Sequence, residues 1–135
     1  MTERLFWSAS ESRHDWENAQ DELATQAAAY GHEHSPEIRR RLDAAGVSPE
    51  SIRSIGDLSA IPPIAKDDLP SLQASDPPFG GMLAVPVAEL RRIYRSPGGI
   101  TDPEGREEDF WRMAPALWAA GFRPGDVVLN TLSYH

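Results

Sequence analysis

No cysteine occurs among the 135 residues, which removes disulfides, thiolate nucleophiles and cysteine-based zinc sites from consideration. Basic residues are also scarce. Thirteen Lys and Arg against twenty-one Asp and Glu leave a net charge of −8, a balance that repels nucleic-acid phosphates and anionic membrane surfaces, so neither is an expected partner. No apolar run approaches the length of a membrane span. The opening residues, Met1 to Trp7, pass into Ser and Glu without the apolar stretch of a signal peptide. Together these absences point to the cytoplasm.

What is present suits a folded chain. The hydrophobic share is 40% and the charged share 25%, ordinary for a globular protein, and the length admits one domain and not two. From Ser12 to Tyr30, Trp16, Ala19, Leu23, Ala27 and Tyr30 recur at helical spacing, with Ser12 and Asp15 as a capping box and Gly31 as the expected stop. A second helix is punctuated by Ser35 as cap, Pro36 in the first turn and Gly46 at the end, with Ile38, Leu42 and Ala45 on one face. Arg39 to Arg41 are expected toward its carboxyl end, where cations suit the helix dipole. Short helical turns follow at Ser48–Glu50 and Lys66–Leu69.

The stretch from Pro70 to Pro86 is rich in Pro, Ser, Asp and Gly and reads as a surface loop. Leu90 to Arg95 is expected as a strand delivering the chain into Ser96-Pro97-Gly98-Gly99. A helix between Glu107 and Ala120 is kinked or begun by Pro115 and ended by Gly121; Arg123 to Asp126 then turn into a strand at Val127–Leu132. Strand, Gly-rich turn, helix and strand form a βαβ-like order, the start of a parallel sheet. Two such strands are not stable alone, so further neighbours are expected beside them.

Gly-rich turns hold phosphates because missing side chains let backbone N–H groups converge on an anion. Ser96 to Gly105 is such a turn. The wider pattern places it: His34-Ser35-Pro36, Leu42 to Val47, Ile52 to Leu58, Ile61 to Leu69, Leu83 to Pro86, Glu89 to Ile93, Ala119-Ala120-Gly121 and Pro124 to Val128. In order and spacing these segments resemble the opening of the phenylacetate–CoA ligases, members of the AMP-forming, adenylate-forming superfamily. The resemblance runs from about His34 onward.

That resemblance implies an α/β fold: a helical amino-terminal region (1–70), a linker loop (71–89) and an incomplete βαβ-like start of the AMP-binding large domain (90–135). It implies ATP, magnesium and CoA as cofactors and a small carboxylic acid as substrate, adenylated and then converted to a thioester. The family's phosphate loop, Ser-Ser-Gly-Thr-Thr-Gly-Lys-Pro-Thr, leaves Ser96, Gly98, Gly99 and Thr101 as a degenerate cofactor-binding set, with Asp102 in the lysine position and Glu104 in that of the last threonine. A carboxylate within ~4 Å of a phosphate charge costs about 4 kcal/mol at an effective dielectric of ~20, more than the roughly 1.5–3 kcal/mol of a charged hydrogen bond. Tight ATP binding is therefore not expected. Ala65 also departs, standing before Lys66 where the family has Thr or Ser.

Tyr134 matches a family tyrosine of the acyl pocket and is the one substrate-side candidate; no catalytic residue and no metal ligand is assigned. His32-Glu33-His34 lacks the further ligands a tetrahedral zinc site needs. Ser133, Tyr134 and His135 cannot form a triad, because adjacent strand residues point to opposite faces. Glu107 to Asp109 read as first-turn acids favoured by a helix dipole, and Trp111 and Trp118 as one helix stripe. Two functions follow. One is an amino-terminal fragment of an acid–CoA ligase, inactive alone; the other is a non-catalytic module of ligase descent that pairs with itself or with a complementary ligase-like chain.

Overall fold

The computed structural model describes residues 13–131. Two helices and the turns after them form the first layer. Helix α1 (Arg13–His34) packs on α2 (Pro36–Ala45) and on 3₁₀ turns at Pro49–Ser51 and Ile55–Ala60. Its buried stripe is the small pair Ala24 and Ala28, which meets Ile52 with Val47 and Ile61 alongside. The sequence pattern singled out Leu23, Ala27 and Tyr30, yet these lie on an exposed face. Small residues allow closer helix approach, so the alanine stripe takes the core side. Asp21 accepts from the Ile55 amide at 2.8 Å and ties the second turn to α1.

The expected stop at Gly31 is corrected, because α1 continues through it to His34. A Cβ at Gly31 would lie 3.0 Å from Ile38 Cγ2, so the glycine is there to let α2 approach. Ser12 and Tyr134 lie outside the described residues, as does the proposed cap at the start of α1. Helix α2 follows its punctuation: the Ser35 hydroxyl accepts from the Ile38 amide, Pro36 opens the first turn and Gly46 ends the helix. Arg39 to Arg41 are not in the last turn, contrary to expectation. Arg39 donates to the His32 and Glu33 carbonyls that end α1, at 2.8 and 2.6 Å. Arg40 forms a two-pronged pair with buried Glu37 at 2.7 and 2.7 Å, which Arg41 supplements while bonding the Pro62 carbonyl.

Most of the expected connecting loop is structured. Helix α3 (Leu69–Ser75) occupies its start with Pro70 in the first turn, and Phe79 and Gly80 are buried. The Gly81 carbonyl accepts from both the Ser35 hydroxyl, at 2.9 Å, and the Glu37 amide, at 3.0 Å. Gly80 has φ +65, and a Cβ there would lie 2.7 Å from Leu72 Cγ, so no larger residue fits this turn over α3.

The sheet is a two-stranded antiparallel hairpin, β1 (Arg92–Arg95) and β2 (Thr101–Glu104), in the register Arg92↔Glu104 and Tyr94↔Asp102. The βαβ-like order is thereby corrected: the Gly-rich turn leads into a strand and not into a helix. Thr-Asp-Pro-Glu has weak strand propensity, and Pro103 has no amide to donate, which a two-stranded ribbon tolerates because each strand keeps a free edge. Helix α4 (Ala114–Ala119) begins with Pro115 in its first turn, and no strand ladder forms over residues 127–131. No helix among the described residues is long and apolar enough to cross a membrane.

Candidate functional site: the glycine-rich hairpin turn

Ser96, Gly98, Gly99 and Thr101 do come together, as the turn and first paired residue of the hairpin. The Gly99 amide donates to the Ser96 carbonyl at 2.9 Å, closing a four-residue turn with Pro97 second, and the Ser96 amide donates to the Ile100 carbonyl at 2.9 Å. Gly99 has φ +80, the left-handed bulge position that joins such a turn to a hairpin. The Ser96 hydroxyl accepts from the Ile100 amide at 3.2 Å. Thr101 offers its amide to Gln73 Oε1 and accepts from Gln73 Nε2, both at 2.8 Å.

The amides that would grip a phosphate are therefore spent inside the turn. Those of Gly99, Ile100 and Thr101 each have a partner within the fold, leaving the Gly98 amide as the one without among the described residues. Asp102 adds a negative charge beside them. The residues present do not fit a phosphate grip of the family kind, since the amides of the turn do not converge outward and Asp102 stands where the family loop has its lysine.

Sequence reasoning missed the parts that hold this hairpin. Gln73 is buried in α3 and pairs with both backbone groups on the outer edge of Thr101, covering an edge that solvent or another strand would take. Its signal was Pro70, a helix-opening residue hidden among loop-like neighbours. Glu104 is buried at the far end of β2. It accepts from the Tyr94 hydroxyl at 2.6 Å and from Arg92 Nη1 at 2.9 Å, with Arg91 Nε at 3.7 Å. The Tyr94 hydrogen bond pulls its carboxyl below the ordinary value, burial opposes this, and the Arg92 and Arg91 charges add to the lowering. The threonine position of the family loop has thus become a structural anchor.

Among the described residues, hollows border the hairpin on two sides. A shallow depression is lined by Tyr94, Asp102 and Trp111. A more enclosed cavity of about 340 Å³ lies between residues 83–85 and 103–110, walled by Leu83, Val85, Leu90, Pro103 and Phe110. Trp111 and Trp118 do not share a helix face as expected, because Trp111 precedes α4. Trp111 packs edge-on to Phe110 at 5.1 Å, whereas Trp118 carries the Arg123 guanidinium 3.9 Å over its ring. The reading of Glu107 to Asp109 as first-turn acids is corrected, because all three precede α4, whose first turn holds no acid; the Asp109 carboxylate instead accepts from the Met113 and Ala114 amides just ahead of it.

This order of helices and hairpin matches the opening part of an adenylate-forming CoA ligase. The chain superposes on 2-hydroxyisobutyryl-CoA ligase, in its postadenylation state in complex with 2-HIB-AMP, with a TM-score of 0.73 and 28% identity, over 93% of this chain and 28% of that one. By sequence it is homologous to the phenylacetate–CoA ligases, in keeping with the motif resemblance. The phenylacetate-coenzyme A ligase of Thermus thermophilus is 36% identical over 122 residues, 85% of this chain and 26% of that protein. That of Aromatoleum evansii is 33% identical over 139 aligned positions, 98% of this chain and 26% of that protein. The chain spans about a quarter of the length of the curated relatives it matches. No family model matches it.

Proposed function

We propose that this chain is the amino-terminal part of an acid–CoA ligase, and that by itself it does not complete the reaction. In the complete enzyme the reaction is ATP-dependent adenylation of an aryl or acyl carboxylate, followed by thioester formation with CoA. The observation that carries this reading is the match along nearly the whole chain to a ligase captured with its acyl-adenylate, at a TM-score of 0.73. Residues 1–70 are the helical region, 71–89 the connection and 90–135 the start of the AMP-binding domain. In this reading the chain supplies scaffold, the altered phosphate loop at Ser96, Gly98, Gly99 and Thr101, and through Tyr134 one wall of the acid pocket. ATP, magnesium and CoA belong to the complete enzyme, in the cytoplasm.

A second reading is favoured by one specific feature, the inward-turned amides beside Asp102. It makes the chain a non-catalytic module of ligase descent that pairs with itself or with a complementary ligase-like chain. Calorimetry of the 135-residue chain with ATP and with phenylacetate, alongside light scattering, separates the cases. Weak but saturable ATP heat without pyrophosphate release is the result expected of the ligase fragment. Turnover by the chain alone contradicts the first reading's claim of incompleteness, and a stable dimer without ATP binding moves the assignment to the module.

A further inference from the structure

We infer that the depression formed by Tyr94, Asp102 and Trp111 is a binding site for a small organic cation of diffuse charge, such as a quaternary ammonium group. Cross-strand pairing puts Tyr94 and Asp102 directly opposite one another, so both side chains stand on the same face of the hairpin. Trp111 closes the third side, its ring centroid 6.4 Å from that of Tyr94 and tilted by 59°. Two electron-rich rings and a carboxylate are the combination that attracts weakly hydrated cations.

Three features favour a ligand over idle exposure. The walls are fixed by contacts that leave the hollow open: the Tyr94 hydroxyl is tied to Glu104 at 2.6 Å, and Trp111 is braced by Phe110 at 5.1 Å. The Asp102 carboxylate has no hydrogen-bond or ion-pair partner among the described residues, in contrast to its strand neighbour Glu104, whose charge is met by Arg92 and Arg91. Both rings are about half exposed, Tyr94 at 44% and Trp111 at 52%, so the site is open to solvent. A hollow whose carboxylate is unpaired among the described residues selects a cation and repels the phosphate that the corresponding family loop holds. The inference rests on this local geometry and stands whether or not the chain acts in CoA ligation.

The test is a titration of the full chain with choline and with its uncharged carbon isostere, followed by the tryptophan indole resonances. Choline should shift the Trp111 indole saturably and leave Trp118 in place, and the isostere should bind at least about fivefold more weakly, the size of a surface cation–π contribution. Asp102→Asn should weaken choline about tenfold, with an unchanged circular dichroism spectrum as the check on folding. Read at the Tyr94 ring resonances, since these variants remove the indole, Trp111→Phe keeps a ring and should retain most of the affinity, whereas Trp111→Ala should lose about fivefold. Equal binding of choline and the isostere, an Asp102→Asn variant that binds choline like the parent, or a shift that never saturates would overturn the assignment.

Discussion

Leu42 and Ile52 are each 1% exposed, whereas Val127 and Leu129, of similar size and hydrophobicity, are 101% and 86% exposed. The difference lies in where each segment finds its neighbours. A helix satisfies its own backbone and needs one apolar face covered, which α1, α2 and the following turns do for one another within about 50 residues of sequence. An extended segment needs a strand beside it to satisfy its backbone and cover for its apolar residues. Residues 127–131 have no such strand neighbour within the described chain. One region is held by burial, and the other presents its apolar residues outward.

The largest expected break in that contrast is at Ile52. Ile52→Ala removes the residue on which Ala24 and Ala28 close, and should cost about 2–5 kcal/mol in urea denaturation. Gln73→Ala comes next. It leaves the outer amide and carbonyl of Thr101 without partners, should cost about 1–3 kcal/mol, and should speed hydrogen exchange in the hairpin before the helices.

Acid should act on the carboxylate anchors of the second helix and of the hairpin. The carboxyls of Glu37 and Glu104 are held below their ordinary values, the first chiefly by its hydrogen bond to Arg40, the second chiefly by Tyr94. A lowered folded value means stabilisation that is fully present above the unfolded carboxylate value of ~4.3 and is lost as pH falls through the folded one. A pH series of unfolding midpoints should therefore be flat from these groups above about pH 5 and decline below it, with a shallower decline in Glu104→Gln. The smallest effect is at the exposed end, where Leu129→Ser should change stability by less than about 0.5 kcal/mol. A larger loss there would mean that the segment is packed.

How much of this was legible in the sequence depended on whether the signal was local. Ser35, Pro36 and Gly46 bounded α2 because caps act on adjacent backbone groups. The Gly-rich turn and β1 were legible for the same reason. The buried face of α1 was not, since choosing Ala24 and Ala28 over Leu23 and Tyr30 depends on how closely Ile52 and α2 can approach. Thr-Asp-Pro-Glu became β2 through its register with Arg92 to Arg95, which no propensity of its own announces. At the candidate site the turn residues were found, but their amide partners were not. Gln73 reaches Thr101 across 28 positions of sequence, and that contact decides whether the turn faces a ligand or the fold.

Amide hydrogen exchange on the 135-residue chain tests the central contrast most directly. The amides of α1 and α2 around Ala28 and Leu42 should be protected to near the global unfolding free energy, and those of Val127 to Leu129 should exchange at the rate of unstructured peptide. Protection of Val127 to Leu129 comparable to that of the helices would contradict the account.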